Sequence, residues 1–252
     1  MNRLRHVASH LTVAPAAAPR NTAKIAVVGL GWWTTAHHLP DLHDNPASEV
    51  VAAVEPLAER RAQVSAKYGF PCFETVAAMV ASGIKIDGVV VASAHVAHFE
   101  NALECIQAGW HVLVEKPMTT TGAEAAQLLA AAEQQHVTVS VNNTANFNQQ
   151  TDEAAALVAS GTLGEVRHVV CTMAGDLADL FGSTGMQTSS PHRQGDRDST
   201  INYSPMASTW ADPKRAGGYG WGRKFTFTSF TSQYVGALFT ERHSHCARAA
   251  QR

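Results

Sequence analysis

Residues 24–34 read KIAVVGLGWWT, a β-branched apolar run that ends in a glycine-rich turn. The run KIAVVG (24–29) has the length and composition of a strand buried on both faces. Gly29 permits a tight turn, and Gly31 removes a side chain where a pyrophosphate must approach the backbone. A helix that starts after such a turn directs its first N–H groups at the phosphates. Thr34 stands where the pattern GxGxxG has its third glycine, which predicts slightly looser packing of helix on strand. Leu30 and Trp32 fall inside the same turn and are counted with the glycines as cofactor contacts.

Outward from this stretch, VVAAVE (50–55), GVVVAS (88–93), WHVLVE (110–115) and VTVSVN (137–142) are runs of the same kind. Helical patterns separate them. Residues Pro56 to Tyr68 begin with proline and end before Gly69. Phe99 to Ala108 ends before Gly109, and Gly122 to Gln135 follows the capping threonines Thr119 to Thr121. Strands that alternate with helices predict right-handed βαβ crossovers and an α/β fold with a doubly wound parallel sheet. Beyond residue 143 the rhythm changes. Thr151 to Ser160 reads as a helix closed by Gly161, residues 165–174 as a strand, 182–222 as a long loop, and 225–230 as one β-like alternation. The expected division is a flexible leader over 1–22, a dinucleotide-binding domain over 23–142 and a partial second domain over 143–252. A cleavable targeting peptide is the alternative for the leader.

Composition narrows the function. The chain has 252 residues, 45% of them hydrophobic, with a net charge of −2. That hydrophobic share suits a globular chain, and the charge offers no basic excess for a nucleic-acid backbone or an anionic membrane. No apolar run reaches the roughly 18 residues of a membrane span. Cys72, Cys105, Cys171 and Cys246 stand far apart without a CxxC pair, which predicts a reducing, cytoplasmic setting without a disulfide framework or zinc site.

Two features bear on chemistry. Glu55 ends the second run at the distance from the glycine turn where a carboxylate accepts hydrogen bonds from ribose hydroxyls. A carboxylate there repels a 2′-phosphate, so NAD is expected and NADP is disfavoured. Arg60 and Arg61 have the charge to answer such a phosphate, but read more simply as a solvated helix face. The second feature is Glu115-Lys116-Pro117, at the end of a strand. Ligands of open α/β sheets sit beyond the carboxyl ends of the strands. An ammonium beside a substrate hydroxyl lowers its pKa and helps hydride leave the carbon. A surface lysine before a loop is the plainer reading of the same residues.

VVGLGWWTTAHH, VVVASAHVAHFENALECIQAGWHVLVEKP and LVASGTLGEVRHV together resemble the Gfo/Idh/MocA oxidoreductases, with a further likeness at TWADPKRAGGYGWG (209–222). The resemblance implies a nicotinamide cofactor, a sugar or polyol substrate, and a second α/β domain with an open sheet through which copies associate. It assigns Gly29, Gly31, Glu55, Ser93, His95 and His98 to cofactor binding, and puts Glu115 and Lys116 on the family's EKP motif, both counted with the cofactor-binding residues and Lys116 catalytic as well. This chain departs from the family pattern at Thr34, at Ala94 in place of a proline, and at Ala145 and Asn146 in place of arginines. After Gly222 the likeness stops, and Thr226 falls near the position of an active-site histidine. A frameshifted, truncated or diverged end would leave a second sheet with open edges and slow turnover. Two other readings compete: a nucleotide-binding protein without turnover, and a methyltransferase, against which the EKP segment speaks. His37 and His38 read as a polar helix face. His243, His245 and Cys246 read as a tail. Trp32 and Trp33 are read as packing residues, with shielding of the cofactor as the alternative.

Overall fold

The computed structural model describes residues 22–168. They form one six-stranded sheet in the order β3-β2-β1-β4-β5-β6, and every pairing is parallel. The strands are β1 (Ala23–Val28), β2 (Ser48–Val54), β3 (Cys72–Phe73), β4 (Gly88–Val91), β5 (His111–Glu115) and β6 (Val139–Asn142). The helices are α1 (Leu39–Asp44), α2 (Ala58–Tyr68), α3 (Val76–Ala81), α4 (His98–Gln107), α5 (Gly122–Gln135) and α6 (Gln149–Ala159). The order reverses between β1 and β4, which creates a crevice at the carboxyl ends of those two strands.

Alternating residues of β1, β2, β4 and β5 feed two separate cores. Ala26, Val28, Ala52, Val54, Val89, Val91, Val112 and Val114 pack with Met79 of α3, Ile106 of α4 and Leu128 of α5. Val27, Ala53 and Val90 face the other way, onto Leu39 of α1 and Val64 of α2. Each fully buried side chain of this size contributes roughly 1.5–3 kcal/mol. Burial on both faces explains why these strands read as continuous apolar runs. Beside Ile25 the register slips, so that Val50 and Ala52 face successive residues of β1 and Val51 bulges. Helix starts are chemically marked: Thr75 caps α3 through the Ala78 N–H, and Thr121 with Glu124 forms a reciprocal capping box on α5.

Several sequence boundaries need correction. Helix α2 starts at Ala58, because the Leu57 N–H is taken by the Glu55 carboxylate and Leu57 is extended. Helix α4 already includes His98 and stops at Gln107. Helix α6 starts at Gln149, since the Asn148 side chain accepts the Thr151 N–H and acts as the cap. Its C-terminal cap is Ser160, and Gly161 follows at φ 69°. The run 88–93 is a strand only to Val91. Sequence reading passed over β3 and α3, which are only two and six residues long. Residues 165–168 carry no strand, and the rest of the expected strand 165–174 lies outside the described residues. So do the leader to residue 21, the segments 182–222 and 225–230, Thr226, His243, His245, and the cysteines Cys171 and Cys246. Among the described residues, Cys72 and Cys105 are free thiols, pushed up by burial to about 11 and about 12. No helix among the described residues is long and apolar enough to cross a membrane, and no His/Cys/Asp/Glu group among them is arranged to hold a metal.

Candidate functional site

The crevice is built from the glycine turn upward. Gly29 has φ 92°, and its N–H donates to the Val54 carbonyl at 2.8 Å. A Cβ there would lie 2.6 Å from the Ser93 Cα, so the turn presses directly on the end of β4. Gly31 is different: a Cβ at that residue would meet nothing within 4 Å, so the space above its backbone is open. That is the approach a pyrophosphate needs, and the residues present fit a dinucleotide in this respect. The Gly31 carbonyl accepts the Thr35 N–H and opens the next helix, whose first N–H groups have no acceptor within the helix.

This helix does not run as a regular α-helix. Over Thr34–His38 it widens to a π-turn, with the Leu39 N–H donating to the Thr34 carbonyl. Pro40, which follows, has no N–H and its ring crowds the carbonyl four residues back, so a wider turn relieves the contact. Thr34 itself is wholly buried, so the missing third glycine is accommodated within this widened turn.

Glu55 sits at the end of β2 and is 5% exposed. Its Oε2 accepts the Leu30 N–H at 3.0 Å, and its Oε1 accepts the Leu57 N–H at 3.1 Å. Arg60 approaches Oε2 at 3.4 Å. The Arg61 guanidinium donates to the carbonyls of Glu55 and Pro56, both at 2.7 Å. Neither arginine is part of a solvated face, as their helical spacing had implied. Both fold back over the end of β2, because its carboxylate and carbonyls are the nearest acceptors.

Beyond β4, the Ser93 carbonyl and the Pro117 carbonyl enclose the imidazole of His98, at 2.9 Å from Nε2 and 2.7 Å from Nδ1. Burial pushes the His98 pKa down, against the pull of these two carbonyls. Asn101 donates to the Ser93 hydroxyl. His95 lies in a short 3₁₀ turn (His95–Ala97), its ring 5.6 Å from that of His98. Burial, reinforced by the charges of His98 and Lys116, lowers its pKa to about 3. Ala94 keeps φ −64°, the value a proline would impose. The side chains of Ala145 and Asn146 lie outside the described residues.

Glu115 ends β5 and is 7% exposed. Its Oε1 accepts from Trp33 Nε1 at 2.8 Å, His38 Nε2 at 2.9 Å and Asn142 Nδ2 at 2.6 Å. Its Oε2 accepts the backbone N–H of Lys116 at 3.1 Å. Burial alone would raise this carboxyl, but hydrogen bonds from His38, Asn142 and Trp33 outweigh it and hold the pKa below the usual range. Lys116 is half-buried, and its peptide bond to Pro117 is cis.

All ten residues named from the sequence therefore lie along the carboxyl edge of the sheet: Gly29, Leu30, Gly31, Trp32, Glu55, Ser93, His95, His98, Glu115 and Lys116. Four further residues that build the edge were not assigned to it: Trp33, His38, Asn142 and Arg60. The sequence makes Trp33 a packing residue, yet its indole N–H is a hydrogen-bond donor to Glu115. No spacing rule connects His38 to a carboxylate 77 residues away.

Comparisons with known proteins agree with this geometry. The family model GFO_IDH_MocA, described as an oxidoreductase family with an NAD-binding Rossmann fold, matches residues 23–143. A putative UDP-kanosamine synthase oxidoreductase subunit of Amycolatopsis mediterranei is 33% identical over 148 residues, covering 59% of this chain and 40% of that protein. The scyllo-inositol 2-dehydrogenase (NADP(+)) IolW of Bacillus subtilis is 28% identical over 148 residues, covering 58% and 40%. The 3-ketoreductase KijD10 of Actinomadura kijaniata, solved in complex with TDP-benzene and NADP, superposes with a TM-score of 0.54 at 28% identity, covering 58% of this chain and 46% of that one. The chain thus spans less than half the length of these relatives. The matched span begins with the first residue of β1 and ends one residue past β6, so it takes in the whole sheet; residues 23–143 are similar to the NAD-binding Rossmann unit of the Gfo/Idh/MocA oxidoreductases.

Proposed function

We propose that the chain binds a nicotinamide dinucleotide along the carboxyl edge of its sheet and transfers hydride to or from a hydroxyl-bearing carbon of a sugar or polyol. The observation that supports this reading is the placing of three groups at the carboxyl ends of strands of one parallel sheet: the open backbone at Gly31 after β1, the carboxylate of Glu55 after β2 and the residue Lys116 after β5. The relatives named for inositol, nucleotide-sugar and ketosugar chemistry support the substrate class. The nicotinamide ring, when bound, supplies the hydride acceptor or donor. This chain's residues do the rest. The glycine turn and the first N–H groups after it hold the pyrophosphate. Glu55, already oriented by Leu30 and Leu57, offers its remaining lone pair to the ribose hydroxyls. Ser93, His95 and His98 shape the wall on the β4 side. Lys116 stabilises the negative charge that develops on the substrate oxygen.

NAD is the expected cofactor, since Glu55 opposes a 2′-phosphate. Arg60, paired with that carboxylate at 3.4 Å, reduces the repulsion and narrows the preference. Residues 143–252 are proposed to supply the substrate-facing wall and the surface for self-association. Calorimetric titration with NAD tests the first step, and formation of reduced nicotinamide on offering a panel of polyols and sugars tests the second. Binding without turnover would favour a nucleotide-binding role alone, and absence of binding would refute the reading.

A further inference from the structure

We infer that Trp33 and His38 are positioning residues that couple the dinucleotide-binding turn to Lys116. The inference rests on the dinucleotide reading above for its ligand, but its structural basis is separate. Three donors converge on Oε1 of Glu115, and two of them, Trp33 and His38, stand on the helix that starts at Gly31. With that oxygen saturated, the carboxylate plane is fixed, and Oε2 is aimed at the Lys116 N–H. From the other side, His98 holds the carbonyl of Pro117. Lys116 is therefore gripped at the peptide before it and the residue after it.

The π-turn explains how both residues reach one atom. In a regular α-helix, side chains five positions apart point about 140° away from each other. Widening the turn to i→i+5 pairing brings positions five apart nearly over one another. Trp33 and His38 are five apart, and the widened segment Thr34–His38 lies between them. The π-turn thus lets a single helix give two donors to Glu115. A regular helix would offer one and turn the other away. The Trp33 indole also packs against the His37 ring at 4.2 Å, which limits its freedom to swing out. A shift of the helix N-terminus as phosphate docks is passed through these two side chains to Glu115, and so to the backbone of Lys116.

Hydrogen–deuterium exchange of the full chain, read on peptides across 29–38, 88–91 and 113–118, tests this. Without nucleotide, Trp33→Phe and His38→Ala are expected to speed exchange at the Lys116 amide about fivefold, the equivalent of one hydrogen bond lost. Exchange in β4 should stay unchanged. His38→Gln retains an N–H donor and should restore most of the protection. On adding NAD, the native chain should slow at both the turn and the Lys116 segment, whereas the two disrupting variants slow only at the turn. Unchanged exchange at Lys116 in Trp33→Phe and His38→Ala overturns the proposal, as does protection by NAD that reaches Lys116 equally in the variants. If a variant loosens β4 as well, Trp33→Phe, which keeps the ring, decides. Failure of NAD to protect the turn in the native chain counts against the dinucleotide reading, and the nucleotide-free comparison then decides the role of the two residues.

Discussion

Glu55 and Glu115 are both buried carboxylates at the ends of parallel strands, yet they are held in opposite ways. Glu55 is fixed mainly by backbone: the N–H groups of Leu30 and Leu57, with Arg60 as a longer contact. Glu115 is fixed mainly by three side chains from two elements: Trp33 and His38 of one helix, and Asn142 of β6. The first corner is local to two neighbouring strands and follows from the path of the glycine turn. The second is assembled from residues far apart in the chain and depends on the identity of each. The Glu55 corner should therefore tolerate side-chain changes around it and fail when the backbone path is altered. The Lys116 corner should do the reverse.

The largest expected effect lies in the second corner. Lys116→Ala should lower kcat about 10²–10⁴-fold, because a polarising group is lost where charge develops. Melting temperature and NAD affinity should stay near native. If turnover with the best polyol falls less than about threefold, Lys116 does not polarise the substrate oxygen.

In the first corner the glycines separate backbone path from ligand space. Gly29→Ala adds a Cβ 2.6 Å from the Ser93 backbone at a φ of 92°, and the chain must move. Left-handed strain and overpacking together should cost about 2–5 kcal/mol of stability. Gly31→Ala meets nothing within 4 Å, so stability should change by less than about 0.5 kcal/mol, while the methyl intrudes on the phosphate path and weakens NAD binding. Denaturant unfolding of the two variants, paired with NAD titration, checks this. Equal stability losses would erase the distinction between them.

A smaller effect concerns cofactor choice. Glu55→Gln removes the charge and keeps one carbonyl oxygen, an acceptor for only one of the two backbone N–H groups of Leu30 and Leu57. Loss of a charged hydrogen bond of about 1.5–3 kcal/mol should weaken NAD about tenfold or more. NADP should lose less, since Arg60 is released from its carboxylate. Parallel titrations with both nucleotides read the ratio, and an unchanged ratio would show that Glu55 does not discriminate.

The contrast between the corners also explains what the sequence disclosed. Strands with both faces buried announce themselves as apolar runs, so β1, β2, β4 and β5 were legible; the partly buried edge strand β6 was legible from its valines, and with them the doubly wound sheet. Gly29, Gly31 and Glu55 were legible because the chemistry at that corner is backbone chemistry at fixed spacing. The placing of Lys116 just past a strand end was legible, since β5 ends at Glu115. The donors to Glu115 were not. His38 and Asn142 meet it only because the sheet brings the ends of β1, β5 and β6 together, and side-chain contacts across 77 and 27 residues leave no periodic trace. The π-turn was equally hidden, although Pro40, four residues past Ala36, marks a place where a regular helix has difficulty. Arg60 and Arg61 misled for a related reason: helical spacing shows which residues share a face, not that acceptors lie close enough to draw the guanidinium groups inward.

The smallest effect expected is an acid sensitivity that originates between the two corners. His95 is 6% exposed, and its folded pKa is pushed down by burial, then by the charges of His98 and Lys116, with Glu115 acting the other way. Its folded value of about 3 lies below the ordinary 6.5 of an unfolded histidine. Above 6.5 both states are neutral at this residue and stability does not depend on it. Below 6.5 the unfolded chain takes up a proton that the folded chain refuses, so stability falls as pH falls. The slope is at most about 1.4 kcal/mol per pH unit, and it ends near pH 3, where the folded state protonates too. For a domain of this size that corresponds to at most roughly 3–6 °C in Tm per pH unit. Glu115, held below its ordinary 4.5, adds its own loss only at more acidic pH. Thermal melts of the native chain and His95→Gln between pH 7.5 and 5 isolate the histidine, because Glu115 stays ionised across that window. The variant should lose part of the acid slope, His98 accounting for what remains. Identical slopes in the two chains would place the proton uptake elsewhere and leave His95 a packing residue of the β4 wall.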